Sequence, residues 1–291
     1  AGRAKCRLAS QRNVESNSTK ACTTATPRAA SPRARRKVAN DVNADGTIIV
    51  GSATFTVAGL DAFRWSDAEG FTPLGTASSL DQPNDVAVSA NGAVVFGERD
   101  GFLFRWTAGT GFQNLVTTPG LSVQSVASDA AGRVVVGRVS DGSRTAFRWT
   151  TTDGFVVLVP RDSESDATGV SDDASVSVGF ARTASGRRAL RWGASIIAED
   201  LPLGDLTDTH ADAVSGDGSV IVGGSAQGIW MKTGADEPRL LMDVLEELGV
   251  DVDNLPVQPS AVVDVSGDGT VLVGTGTNPT TSTTQSWVAR V

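Results

Sequence analysis

The amino-acid sequence predicts an all-β chain, a six-bladed β-propeller whose blades are four-stranded repeats of about 42 residues. A hairpin motif recurs six times, one tryptophan follows each copy, and residues 38–291 contain no cysteine that could form a disulfide. The predicted repeats cover residues 38–80, 81–121, 122–164, 165–207, 208–257 and 258–291. They leave no room for a second folded domain.

The first 37 residues differ in composition from the rest of the chain. They carry ten basic residues and one acidic residue, a net charge of +9, so residues 38–291 carry −17 of the total of −8. Because residues 1–37 contain few large apolar side chains, we predict a disordered basic arm there. Cys6 and Cys22 both lie in it, either free or bridged to each other. The acidic body argues against nucleic-acid binding.

Each repeat opens with a strand, a tight turn and a β-branched strand ending in glycine. Four of the turns carry Asp or Asn before Gly, as at Asp45, Asp217 and Asp268, and such residues favour hairpin turns. Five of the second strands contain a continuous apolar triplet, which indicates burial on both faces, and Val176-Ser177-Val178 is the exception. The six copies run from Ala39 to Gly51, Asn84 to Gly97, Gln124 to Gly137, Ala167 to Gly179, Ala211 to Gly223 and Ala261 to Gly274.

The third strand of each repeat contains the tryptophan, in four copies directly after an arginine. A period of two places the arginine on the opposite face from the aromatic residues. We expect each arginine to bond an Asp turn or a strand-end carbonyl, and the alternative is a ring of guanidinium groups that binds an anion. The residues are Trp65, Trp106, Trp149, Trp192, Trp230 and Trp287, and Arg64, Arg105, Arg148 and Arg191.

A fourth apolar strand follows in the first four repeats, for example at Gly70 and Phe71. Between the fifth and sixth repeats, leucines and valines at helical spacing predict a short amphipathic helix near residues 239–248, ending at Gly249. The last copy stops within its third strand. One of the 24 expected strands is therefore absent, unless another segment completes the blade.

These motifs resemble the bacterial "probable extracellular repeat, HAF family" over residues 39–291. The resemblance rests on Ser-x-Asp-Gly-x-x-x-Val-Gly, Ala-Phe-Arg-Trp and Gly-Phe-x-x-Leu, and on the final segment around Leu241 and Trp287. The histidine of the family's His-Ala-Phe motif is absent, since Asp61 and Thr145 precede the two Ala-Phe pairs. The resemblance implies an exported or cell-surface location and a propeller-like form, with no established activity.

The sequence contains few residues suited to catalysis or metal binding. His210 is the only histidine, and we expect it in an exposed loop. Asp41, Asn43 and Asp45 repeat the first half of a calcium loop, as do Asp264, Ser266 and Asp268, but both copies lack the closing glutamate. We therefore expect no cofactor, with calcium as the alternative. Carboxylates on inter-blade loops could serve glycoside hydrolysis, namely Asp162, Glu164, Asp166, Asp205 and Asp208.

These observations favour a non-enzymatic, extracellular or cell-surface repeat domain that binds a protein or carbohydrate partner through inter-blade loops. The first alternative is a propeller hydrolase or lyase that acts on polysaccharide through loop carboxylates. The second is an intracellular interaction scaffold. We expect a monomer without a transmembrane segment, because no apolar stretch approaches the roughly 20 residues of a membrane-spanning helix.

Overall fold

The computed structural model describes residues 37–56, 59–74, 86–99, 102–116, 122–140, 142–159 and 164–291. These residues form two compact units, 37–158 and 159–291, and each unit contains three antiparallel sheets. The predicted arm and both cysteines lie outside the described residues, except that Lys37 begins the first strand instead of ending the arm.

The first unit contains three four-stranded sheets, each with its strands in chain order. The strands are β1 (Lys37–Val42), β2 (Ile48–Thr56), β3 (Gly59–Ser66) and β4 (Gly70–Pro73); β5 (Val86–Val88), β6 (Val94–Arg99), β7 (Phe102–Thr107) and β8 (Gly111–Asn114); and β9 (Ser122–Ser128), β10 (Val134–Ser140), β11 (Arg144–Thr150) and β12 (Gly154–Val157).

The second unit contains two four-stranded sheets and one three-stranded sheet, again in chain order. The strands are β13 (Ser165–Val170), β14 (Ser177–Thr183), β15 (Gly186–Trp192) and β16 (Glu199–Asp200); β17 (His210–Val214), β18 (Val220–Ser225), β19 (Gly228–Thr233) and β20 (Arg239–Leu240); and β21 (Gln258–Val265), β22 (Val271–Thr277) and β23 (Thr284–Arg290).

Six antiparallel sheets in sequence, with neighbouring strands consecutive along the chain, are the blades of a β-propeller. The predicted all-β, six-bladed fold is confirmed. The fifth blade has a short fourth strand, β20, that the sequence analysis did not identify. The described part of the sixth blade has three strands.

The hydrophobic core lies between neighbouring blades of each unit. Clusters of buried residues join the first blade to the second, the second to the third, the fourth to the fifth and the fifth to the sixth. The second strands contribute residues to all four clusters. Val95 and Phe96 are fully buried, whereas Val271 and Val273 of the sixth blade are only partly buried.

We call the end of each blade that carries the turn between its first two strands the turn end, and the opposite end the loop end. At the turn end, backbone hydrogen bonds link successive blades within each unit. The Ala44 amide donates to the Ala90 carbonyl at 3.2 Å, and the Gly216 amide donates to the Gly267 carbonyl at 3.0 Å. The hairpin turns therefore hold neighbouring blades together as well as reversing the chain.

The glycine that follows the apolar triplet lies against the first strand of the same blade in the first, fourth, fifth and sixth blades, at Gly51, Gly179, Gly223 and Gly274. At Gly223 an added Cβ would lie 2.0 Å from the His210 carbonyl oxygen and 2.7 Å from Trp230 Cζ2. The register of β17 and β18 shifts between Ala211 and Ala213, which is a β-bulge. The bulge brings that carbonyl over the glycine, where only a residue without a side chain fits.

The six tryptophans occupy two register positions. In the first four blades the tryptophan pairs with a residue of the apolar triplet, as Trp65 does with Ile49. In the last two blades Trp230 and Trp287 pair with Gly223 and Gly274, the glycines that follow the triplets. In the other four blades a phenylalanine or leucine pairs with the corresponding glycine. Both tryptophans are at most 1% exposed, so their rings fill the space above the missing side chain.

The predicted helix is present as α1 (Leu241–Glu247), followed by a 3₁₀ turn at Val252–Asn254. Its apolar stripe of Leu241, Val244 and Leu245 is buried against the fifth and sixth blades. The helix therefore belongs to the propeller core. No helix in the described part of the chain is long and apolar enough to cross a membrane.

Candidate functional site

The repeated arginines take part in contacts of their own blades and of the next one. Arg64 pairs with Glu69 at 2.7 Å, and its Nε donates to the Gly92 carbonyl in the turn of the following blade at 3.4 Å. Arg191 lies 3.7 Å from Glu199 on the neighbouring strand. These contacts belong to Arg64 and Arg191, and a structural role for all four arginines stays a prediction.

The turn aspartates accept hydrogen bonds from their own hairpins. Asp217 Oδ1 accepts from Ser215 Oγ at 2.7 Å and from the Ser219 amide at 2.9 Å, and these bonds lower the pKa of the carboxyl to about 2. Asp268 has the same arrangement, also with a pKa of about 2. Hydrogen bonds to the charged form favour ionisation. These carboxylates are acceptors that shape the turn.

The carboxylate oxygens of the calcium-like motifs accept hydrogen bonds from backbone amides. Asp41 accepts from the Val42 amide at 2.7 Å and from the Val88 amide of the next blade at 2.8 Å, and it lies mostly within the protein. Asp45 accepts from the Thr47 amide at 2.9 Å. Among the described residues, no group of three His, Cys, Asp or Glu side chains could hold a metal ion.

The loop carboxylates named from the sequence differ in their surroundings. Asp162 lies outside the described residues. Glu164 pairs with Arg182 at 3.2 Å in an exposed contact, Asp166 is buried in β13, and Asp205 is exposed. Asp208, just before β17, contacts several polar groups at the loop end of the fourth and fifth blades.

Five side chains come together there, and we call them the His210 cluster: Phe180, Arg187, Asp208, His210 and Asp212. Arg187 donates to Asp208 through its Nε at 3.3 Å, its Nη2 at 3.2 Å and its backbone amide at 2.8 Å. The guanidinium lies over the Phe180 ring, 6.0 Å from its centre. His210 Nε2 lies 3.4 Å from Asp212 Oδ2, and the centres of the His210 and Phe180 rings are 6.2 Å apart in a T-shaped arrangement.

Strand geometry explains why these residues meet. Phe180 is the central residue of β14 and Arg187 is the second residue of β15, so both belong to the hairpin that forms the loop end of the fourth blade. His210 and Asp212 lie two residues apart at the start of β17, in the next blade. Gly224 lies beside the imidazole, where a Cβ would be 2.5 Å from His210 Cε1. The backbone therefore leaves room for that ring.

The two carboxyl groups of the cluster have opposite pKa shifts. Hydrogen bonds from Arg187 lower the pKa of Asp208, whereas burial raises the pKa of Asp212 to about 7. Burial, followed by the charge of Arg187, lowers the pKa of His210. Near neutral pH the cluster thus contains one ion pair, a neutral imidazole and a carboxyl group that gains or loses its proton. Groups with such separated pKa values are frequent at functional sites.

Sequence reasoning identified only part of this cluster. It named Asp208 and placed His210 in an exposed loop, whereas the histidine begins a strand and its side chain is only 20% exposed. Phe180, Arg187 and Asp212 were not identified. Asp212 occupies the bulge position of β17, where the structure shows Asn40 and Thr168 in the first and fourth blades. An ionisable residue at this position, in place of Asn or Thr, was the signal in the sequence that could have identified Asp212.

No protein-family model matches this sequence, and a comparison with curated proteins finds no relative. Similarity to solved structures is confined to the fold. The chain superimposes on a putative TolB from Agrobacterium tumefaciens with a TM-score of 0.53 and 13% identity, over 77% of this chain and 82% of that one.

Two further structures match in the same way. TolB from Acinetobacter baumannii gives a TM-score of 0.50 at 13% identity over 68% of this chain, which spans 52%, about half, of that protein. A structure from a study of two prolyl endopeptidases gives 0.57 at 11% identity, over 87% of this chain and 42% of that one. At these identities the matches establish one conclusion, that the chain has the β-propeller fold.

Proposed function

We propose that this chain is a non-enzymatic, extracellular or cell-surface repeat domain that binds a protein or carbohydrate partner through its inter-blade loops. The observation that supports this most is the His210 cluster, which presents an aromatic ring, an ion pair and two titratable groups at the loop end of two blades. Rigid strands position these side chains, and ligand sites commonly combine aromatic surface with a few fixed polar groups.

The partial exposure of the cluster supports binding more than a purely structural role. Arg187 and Asp208 keep side-chain exposures of 32% and 45% while bonded to each other. A pair held this firmly at the surface is preorganised, so little conformational entropy is lost when a partner binds.

Binding is tested with purified protein against a glycan panel and against extracted bacterial surface proteins, in parallel for the wild type and Arg187→Ala. Arg191→Ala is the matched control, because it removes a comparable exposed ion pair from the same strand. We expect a partner that binds the wild type and Arg191→Ala and loses affinity for Arg187→Ala. The proposal is contradicted if the wild-type chain binds no glycan and no surface protein, or if Arg187→Ala binds its partner as tightly as the wild type does.

Hydrolysis of polysaccharide is the second candidate, and the opposite pKa shifts of Asp208 and Asp212 favour it. One ionised and one protonated carboxyl group are the pair that glycoside hydrolysis uses. Turnover of any polysaccharide in the same panel, abolished by Asp212→Asn, would replace the non-enzymatic proposal, since the amide has no acidic proton to donate.

The proposed location is tested through the complete reading frame and the native N-terminus of the secreted or cell-associated protein. The resemblance to the HAF family and the exported or cell-surface location that it implies remain predictions from the repeat motifs. A cleaved export signal upstream supports the extracellular proposal. Cytoplasmic protein with an uncleaved native start supports the intracellular scaffold instead.

A further inference from the structure

The His210 cluster has unused hydrogen-bonding capacity on its exposed side. The contacts of Arg187 with Asp208 use two of the five guanidinium N–H groups and three of the four acceptor positions of the carboxylate. Asp212 approaches His210 through Oδ2 alone, and its side chain is 25% exposed. Donors and acceptors are thus adjacent within one small area.

The net charge of the cluster is close to zero. Arg187 and Asp208 neutralise each other, the lowered pKa of His210 favours the uncharged ring, and burial raises the pKa of Asp212 to about 7, so its carboxyl group is partly protonated near neutral pH. Residues 38–291 carry a charge of −17, which repels polyanions. A neutral ligand is therefore favoured over an acidic one.

The Phe180 ring and Gly224 border the polar groups of the cluster. The Arg187 guanidinium lies over the Phe180 ring, and the His210 imidazole meets that ring in a T-shaped arrangement. The imidazole occupies the space that a side chain at Gly224 would need, since a Cβ there would lie 2.5 Å from His210 Cε1. A preformed array of adjacent donors and acceptors complements a ligand whose groups both donate and accept.

We propose that the His210 cluster binds an uncharged saccharide, whose hydroxyl groups donate to Asp208 and accept from Arg187 while one of them bonds to Asp212. A hydroxyl group both donates and accepts, so adjacent hydroxyls on a sugar match an adjacent carboxylate and guanidinium. This inference rests on the proposed binding function and specifies its ligand class.

Asp212 is the residue that distinguishes this proposal from catalysis. His210 Nε2, on the same strand, lies 3.4 Å from Asp212 Oδ2, and the charge of Arg187 on β15 favours ionisation of the Asp212 carboxyl group. A protonated carboxyl and an amide have the same shape, and each offers both a donor and an acceptor. Asp212→Asn should therefore preserve binding, whereas Asp212→Ala should weaken it.

The experiment titrates the full chain calorimetrically with neutral hexasaccharides of glucose, N-acetylglucosamine, xylose and mannose, and with polygalacturonate as the charged probe. For at least one neutral saccharide we expect affinity to fall about tenfold or more in Arg187→Ala and Asp212→Ala. Asp212→Asn and the control Arg191→Ala should stay within about threefold of the wild type. Circular dichroism and thermal unfolding confirm that each variant is folded.

The outcomes separate this inference from the proposed function. Binding of no neutral saccharide, binding of polygalacturonate alone, or saccharide binding that Arg187→Ala leaves intact would overturn the saccharide assignment. A protein partner that depends on Arg187, found without any saccharide ligand, would overturn it while leaving the binding function in place. Should Arg187→Ala unfold, Arg187→Lys replaces it, since lysine keeps the charge but loses the planar fork and should still weaken binding.

Discussion

Strand β17 and the turn that follows it carry two aspartates with contrasting environments. Asp217, at the turn end, has its carboxylate satisfied by Ser215 and Ser219 and a pKa of about 2. Asp212, at the loop end, is largely buried beside a neutral imidazole and has a pKa of about 7. Five residues apart, the two groups have opposite preferences for charge.

The difference shows what each end of the blade does. At the turn end the polar groups satisfy one another and link neighbouring blades, which stabilises the fold. At the loop end a carboxyl group is kept in surroundings that penalise its charge, so it lowers stability at neutral pH and above. Such a penalty is expected where a binding site is preorganised.

The largest expected effect comes from Asp212→Asn. A raised folded-state pKa means that the native state holds a proton that the unfolded state loses, so stability falls as pH rises from about 4 to 7 and is then level. The asparagine variant lacks this loss, and we expect it to be up to about 4 kcal/mol more stable than the wild type at pH 8 and about equal at pH 4.

Urea unfolding of both proteins at these pH values measures the difference. The shift of His210 acts in the opposite direction, since its lowered pKa makes stability rise with pH through its titration, but both proteins contain it. A stability difference that does not grow with pH would show that Asp212 ionises freely.

A smaller effect is expected from Gly223→Ala, which tests the structure that carries His210. The new methyl group would overlap the His210 carbonyl and the Trp230 ring, at a cost of about 3 kcal/mol. Gly193→Ala is the control, because its Cβ would meet only the Ser175 carbonyl at 4.0 Å. Thermal unfolding compares them. Equal stability of the two variants would contradict the close approach at the bulge.

The smallest effect is expected from Asp217→Ala at the turn end. A lowered folded-state pKa contributes stability that is present above about pH 4 and is lost as pH falls toward 2. The variant should be less stable than the wild type at pH 6, and the gap should narrow on acidification. Unfolding in urea at pH 6, 4 and 2.5 follows this change. A gap independent of pH would mean that the hydrogen bonds do not depend on the carboxylate.

Repetition explains why the fold was predictable and the cluster was not. Six copies of one hairpin signal compensate for variation in any single copy, so most of the strands could be predicted from the sequence, although β20 could not. The cluster occurs once. It joins Phe180 and Arg187 of one blade to His210 and Asp212 of the next, and no spacing within a repeat indicates that meeting.

Register was another property that the sequence did not reveal. Trp230 and Trp287 follow the pattern of the other tryptophans closely enough to be aligned with them, yet they pair with glycines two positions away along the ladder. A strand keeps the same face when it is shifted by two residues, so alternation alone cannot distinguish the two alignments.

By itself the sequence determined the repeat, the turn chemistry, the buried triplets and the charge contrast between the first 37 residues and the rest, because these depend on local propensity and composition. Only the tertiary structure decided which side chains from neighbouring blades share a site, and which carboxyl group is kept from water. Both depend on the packing of one blade against the next. Burial determines how much free energy it costs to ionise a group, and the residues of the neighbouring blade determine that burial.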